Sequence, residues 1–513
     1  MAMALPDSIP MRWQSGPLEL ATRQKKEGFT AQAGQALQYW HTPAALDIVQ
    51  GSPVNCLVIS WAAGLAEDAE QQRTIRPLVD AARQRKLDVV GWVDGKADNN
   101  AAIAAAQAAG LTAVAIQGFT GKSDFPVLAW GDRAHAPWTS TAPVLPVTDN
   151  VWPGVAGGRP DATAGPTALP WLDSNGWFLQ VARARTQTPL WIVFDPPGKG
   201  EVVPARSYQT AVCDVEIGGG RWVISLDDAF RAGLAAKEAA AKDAWTGLAS
   251  AVAFFVKHPE WKAYKSLGAI AVVSDFAGEN YDFSGEIVNA LTRRDLLCRV
   301  LCDTGKELPA LTGVKTVLRA DTAAPSAPIR KSLLAYVEQG GFLVAASKWG
   351  SEGKSIPGAS ADFDVRTLGK GRIAVAKEDT SDPWDFVTKA QAHLSHADDV
   401  AKLFNASASG GFTYTNSPDG KRALLQLLSY SNYGGGGRGG GGGRGPNAAG
   451  GAPASVPLSS LATAWTRHKY RGAQLWTLEA GAATKVELAP CEDGGTEYHL
   501  PSMSAYLALD FEV

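Results

Sequence analysis

Along the first half of the chain, short apolar runs alternate with segments of helical period. Runs of this kind occupy residues 36–40, 56–61, 89–93, 113–117, 126–130, 144–149, 190–195 and 221–227. Each is too short for a buried helix and is bounded by polar or Gly-containing segments, so each predicts a strand buried on both faces. Helical patterns fill most of the gaps. Residues 70–86 place Ile75, Leu78, Val79 and Ala82 on one face, residues 100–109 are rich in Ala, and a last helix is predicted over 228–256. Strand–helix alternation repeated eight times in about 230 residues is the pattern of a (β/α)8 TIM-like barrel. The segment 135–142 is too short for a helix, so the barrel is expected to be distorted there.

A second α/β alternation follows. Residues 269–275, 298–302, 314–318 and 342–346 read as strands and 284–294 and 328–339 as helices, the second ending at Gly340-Gly341. This predicts a doubly wound domain of the flavodoxin or class I amidotransferase-like kind. Beyond a helical stretch at 383–404, short alternating runs at 411–415, 423–430, 474–478, 485–488, 496–500 and 505–511 predict a small antiparallel β-sandwich. The expected domains are 1–262, 263–405 and 406–513. The last is interrupted by a Gly-rich insertion, 434–452, whose glycines bury too little surface to order themselves.

Composition narrows the function. A net charge of −3 supplies no basic field, so nucleic acid and anionic membrane are not expected partners. No apolar stretch reaches membrane-spanning length, and the first residues lack a signal-peptide core. A cytoplasmic protein and a secreted one whose leader has been removed both fit. The five Cys form no C-x-x-C pair, and the seven His show no H-x-x-x-H spacing, so no metal site is expected. With no G-x-G-x-x-G or phosphate loop either, no cofactor is expected. Val344-Ala-Ala-Ser-Lys348 stands where a nucleophile elbow would lie, so the second domain is expected to be structural, or an oligomer contact. Seventeen Trp, most of them before residue 230, suit a carbohydrate site, where indole faces stack on sugars; packing at the barrel ends is the competing reading.

The C-terminal segments Gly472-Ala-Gln-Leu-Trp-Thr-Leu-Glu479, Glu497-Tyr-His-Leu-Pro501 and Ala505-Tyr-Leu-Ala-Leu509 look like the terminal sandwich of many glycosidases. With the order barrel, amidotransferase-like domain, sandwich, the chain resembles the three-domain β-galactosidases. The resemblance implies hydrolysis of glycosidic bonds, with an Asn-Glu pair after strand four and a Glu after strand seven. This chain departs from that pattern: strand four ends at Gln117 and strand seven at Asp195.

The runs ending in Asp149, Asp195 and Asp227 deliver carboxylates where a barrel presents its working groups, and glycoside hydrolysis uses two. Asp195, behind four apolar residues, is expected to have a raised pKa and to fit a proton donor, while its position fits a nucleophile equally. Asp227 or Asp149 is its expected partner. Asp228 is expected to cap the following helix, and Asp149 could merely order a turn. Trp152, Trp171 and Trp177 are candidate sugar-stacking walls. Asp173, Asn175, His41 and Asp94 are candidate hydroxyl-binding groups, with helix-start, structural and turn roles as their competing readings. Three readings follow: a cofactor-free glycosidase, an inactive carbohydrate-binding protein on the same scaffold, or a structural or assembly protein that uses the second domain as an oligomer contact.

Overall fold

The computed structural model describes residues 5–26, 31–156, 172–197, 203–309, 311–379, 381–404, 410–430, 432–433, 462–492, 494–501, 503 and 505–513. Eight parallel strands form one sheet in sequential order: Pro10–Trp13, Cys56–Ala62, Asp88–Val93, Ala113–Gln117, Val127–Asp132, Leu145–Thr148, Leu190–Ile192 and Arg221–Trp222. The sheet closes on itself. A parallel bridge joins Met11 to Ile224, and hydrogen bonds run from Arg12 N to Ile224 O (2.8 Å) and from Ile224 N to Pro10 O (2.9 Å).

Strand pleat sorts the side chains. Cys56, Val58, Val90, Ala113, Ala115, Leu128, Trp130, Trp191 and Val223 pack together inside the barrel. The alternate residues, such as Leu57, Ile59, Val114, Ile192 and Trp222, face the helical shell.

Within the barrel, two expectations change. Residues 36–40 are not the first strand; they end the helix Ala31–Trp40, in which Ala36, Leu37 and Trp40 are buried at helical spacing. The first strand is Pro10–Trp13, which periodicity passed over because its inward residue is Arg12. The segment 228–256 is two helices, Asp228–Ala235 and Ala239–Val256, separated at Lys237 in the left-handed region (φ 60°). As expected, no helix stands between strands five and six, and residues 118–126 also connect strands four and five without one.

The second sheet has parallel strands at Cys298–Cys302, Ile270–Ser274, Thr316–Arg319, Phe342–Ala345 and Gly371–Ala376, in that spatial order. An antiparallel strand, Phe363–Leu368, pairs along the last of them. The helical stretch expected at 383–404 is shorter: the helix Pro383–Gln391 gives way to a strand at Ala401–Phe404. The C-terminal part is a six-stranded and a four-stranded antiparallel sheet around Phe412, Tyr414, Leu425, Leu507 and Phe511. Lys265–Ser266, on the way into the second sheet, pairs with Gly410–Asn416 and ties this sandwich to the linker. The Gly-rich insertion lies outside the described residues, but Asn432–Tyr433, just before it, pairs with Gly154–Ala156, a short strand that follows the sixth barrel strand.

One apolar cluster connects all three parts of the chain. The barrel's outer shell runs without a break into Ile287, Leu318 and Val344 and into Leu424 and Tyr506. Trp177 of the barrel helix Gly176–Arg185 packs edge-on to Tyr281, and an added Cβ at Gly285 would come within 2.7 Å of its ring.

Candidate active site at the barrel mouth

The C-terminal ends of the barrel strands carry a row of inward-facing residues above the apolar interior. By the alternation within each strand these are Arg12, Ser60, Trp92, Gln117, Asp132, Asp195 and Ser225. Asp195 is at the centre. Its Oδ2 accepts a hydrogen bond from Arg12 Nη1 at 2.7 Å and its Oδ1 accepts one from Ser225 Oγ at 2.6 Å. The Arg12 side chain is 33% and the Asp195 side chain 48% accessible, so water reaches the pair.

Burial pushes the Asp195 carboxyl upward. The Arg12 guanidinium, the hydrogen bonds from Ser225 and Arg12, and the charge of Arg231 outweigh it and hold the group below its ordinary value. This corrects the expectation of a raised pKa, which took account of the apolar run before Asp195 but not of a cation from the opposite end of the barrel sequence. An ionised Asp195 suits attack or water activation, not proton donation. Arg12 is in turn stabilised as a cation, first by Asp195, with Glu19 and Asp94 adding to it.

Asp94 therefore belongs to this electrostatic cluster. Glu19, buried in the helix Pro17–Lys26, accepts from Ser60 Oγ at 2.8 Å. Trp92 and Trp130 stack with centroids 4.8 Å apart, and the half-buried Trp92 is the indole that borders the mouth.

The other expected residues separate from this cluster. Asp227, not Asp228, caps the helix Asp228–Ala235: its Oδ1 accepts from Phe230 N (2.8 Å) and its Oδ2 from Tyr208 Oη (2.6 Å). Asp228 instead receives both Arg23 terminal nitrogens, at 2.8 and 2.7 Å, and an Arg231 nitrogen. Asp149 is exposed at the end of strand six, in the left-handed turn conformation (φ 59°).

Asn175 is fully buried and holds Val151 through both amide atoms and Asp214 through Nδ2 (2.8 Å), so it is a structural clasp rather than a sugar ligand. Asp173, half-buried, ends the short strand Leu172–Asp173, and the helix expected after Asp173-Ser-Asn starts at Gly176 with Asn175 at its cap position. Trp152 is buried among Phe194, Tyr208 and Trp222, and Trp177 lies in the barrel's contact with the second sheet under Arg133; neither presents an open face. Trp171 lies outside the described residues. His41 Nε2 accepts from Gly16 N at 2.6 Å, and burial lowers its pKa, as a neutral structural histidine requires.

Arg12, Ser225, Trp92 and His135 were missed from the sequence. Strand parity would have found Trp92 and Ser225; Arg12 needed the correct first strand. Among the described residues, no group of three or more His, Cys, Asp or Glu is placed to hold a metal. A shallow groove elsewhere is lined by Asp295, Lys315 and His396 and takes no residue from a barrel strand.

No family model matches the chain, and no curated protein matches it in sequence. Among solved structures it is similar to α-L-fucosidase isoenzyme 2 from Paenibacillus thiaminolyticus, at 10% identity over 92% of this chain and 96% of that one, with a TM-score of 0.55. It also matches an exo-β-1,4-mannosidase from an Opitutaceae bacterium (10% identity, 75% of this chain and 94% of that one, TM-score 0.44). A third match is a β-galactosidase from G. stearothermophilus (9% identity, 88% of this chain and 68% of that one, TM-score 0.42). At these identities the likeness is one of fold, carried by the first of the three.

Proposed function

We propose that this chain is a glycoside hydrolase-like enzyme that cleaves a glycosidic bond at the barrel mouth, with Asp195 as its ionised carboxylate. The observation that carries the reading is the Arg12–Asp195–Ser225 arrangement: a carboxylate at the end of the seventh strand, kept charged and oriented, and reached by water. Hydrolysis requires such a group on one side of the anomeric carbon and a proton donor on the other. Trp92 supplies an indole beside it for a sugar face. With Asp227 engaged in the helix cap, the donor has to be another group at the mouth.

A second reading, sugar binding without turnover, is favoured by the same ion pair, which neutralises Asp195, and by Gln117 at the end of strand four.

The test is a panel of aryl glycosides, including α-L-fucosides, the substrate of the fold relative, and β-D-galactosides, with wild type and Asp195→Asn. Turnover by wild type that falls by about 10³-fold or more in the variant supports the enzyme. Equal turnover by both sinks the role of Asp195. Sugar binding with no turnover by either moves the conclusion to the second reading.

A further inference from the structure

We propose that His135, oriented by Asp132, delivers the proton to the leaving oxygen at the barrel mouth, across from Asp195. The proposal rests on the glycosidase reading above. Asp132 continues the inward row Leu128, Trp130 of the fifth strand, so its carboxylate is carried to the rim of the interior. His135 comes back onto it at once: its backbone N donates to Oδ1 at 2.7 Å, and its Nδ1 stands 2.9 Å from Oδ1 and 3.1 Å from Oδ2. Two contacts from one residue to one carboxylate fix the ring and place a proton on Nδ1, which makes Nε2 the working nitrogen. The His135 side chain is 82% accessible, so Nε2 is open to a substrate.

Asp132 suits the part of an anchor. Burial pushes its carboxyl up, but the hydrogen bonds and charge from His135 prevail and hold it below its ordinary value, so it remains an acceptor at neutral pH.

Position agrees with chemistry. Strand six alone separates strand five from strand seven, and Asp132 pairs with Thr148 while Val147 pairs with Ile192. Two strand spacings put the backbones about 10 Å apart. Inward side chains from both then span a gap of the order that a glycosidic bond between two working groups occupies, roughly 5–9.5 Å. No helix intervenes between strands five and six, so the His135 turn follows directly on the strand that carries Asp132. It also answers Gln117, which leaves strand four without an acid.

In the step, the Nε2 proton passes to the glycosidic oxygen as the bond from that oxygen to the anomeric carbon breaks, its electron pair going to the oxygen. The anomeric carbon takes an oxygen from Asp195, or from a water that Asp195 deprotonates. One water is consumed overall, and its second proton restores the imidazolium.

The full chain and its His135→Gln and Asp195→Asn variants are compared on the phenyl and 2,4-dinitrophenyl glycosides of the panel. Dinitrophenolate leaves without protonation; phenolate needs it. Expected for His135→Gln is a loss of about 10²–10⁴-fold on the phenyl glycoside with the dinitrophenyl substrate within several-fold of wild type. Asp195→Asn loses both. A His135→Gln variant that loses both equally, or neither, overturns the proposal and reduces Asp132–His135 to a turn. Its unfolding midpoint, expected unchanged for so exposed a side chain, separates loss of chemistry from loss of fold. A wild type inert on both substrates removes the glycosidase reading and this proposal with it, whereas loss in Asp195→Asn alone leaves the glycosidase standing without His135.

Discussion

Arg12 decides the chemistry of Asp195. Its guanidinium and the Ser225 hydroxyl overcome the cost of burying a carboxylate, so the group stays charged to lower pH than a free Asp. The sign of the consequence follows. Removing the cation lets burial prevail, the carboxyl protonates at higher pH, and any activity that needs it charged fails earlier on acidification. In Arg12→Leu, the acid limb of the kcat/KM profile should therefore move to higher pH, with a lower plateau because the carboxylate also loses its orientation. An acid limb that stays in place in an active variant would show that a different group controls it. Arg12 was invisible as a site residue because a charged side chain in an apolar strand breaks the periodicity by which strands are recognised.

At the scale of the element, Asp227 takes the cap expected of Asp228, and Asp228 is held by Arg23 and Arg231 instead. Both were recognisable as one cap and one spare acid, but adjacent residues differ only in which backbone angle precedes the first helical turn, and sequence does not carry that. The structure gives Asp227 an extended backbone (φ −67°, ψ 167°) and the bond to Phe230 N, with Tyr208 on its other oxygen. Asp227→Ala is expected to cost about 1–3 kcal/mol in urea unfolding through the lost cap and the stranded phenol. Asp227→Asn, which retains an acceptor, should cost less and leave kcat within several-fold. A kcat collapse in Asp227→Asn at full stability would restore the residue to the catalytic pair.

Across the whole molecule, the barrel and the sandwich meet on an aromatic contact that includes a titratable ring. His258 stacks on Trp261 (4.1 Å, 12°) and meets the edge of Trp476 from the sandwich (4.5 Å, 71°). Burial lowers its pKa, with Glu260 and Asp510 opposing and Lys257 assisting. The folded state thus favours the neutral ring. Its contribution to stability is complete above the ordinary value of about 6.5 and is lost as pH falls through the lower folded value. Urea midpoints should drop on going from about pH 7.5 to 5, and less steeply in His258→Gln. An equal slope in the variant would assign the acid sensitivity to another group.

The order of folds was legible in the chain because it depends on local pattern. Runs of apolar residues at strand length, helical faces between them and a later change to short alternating strands are written residue by residue, and seven of the eight barrel strands follow from them. The position of Asp195 at the end of strand seven was legible for the same reason. What required the tertiary structure is every property that arises from groups far apart in sequence. Arg12 and Asp195 are separated by 183 positions and meet only because the barrel closes between its first and last strands. Trp152, Trp177 and Asn175 looked like an open sugar cradle because their residue types suit one; packing buries all three, and only the fold decides which of several neighbouring aromatics and amides keeps a face toward water.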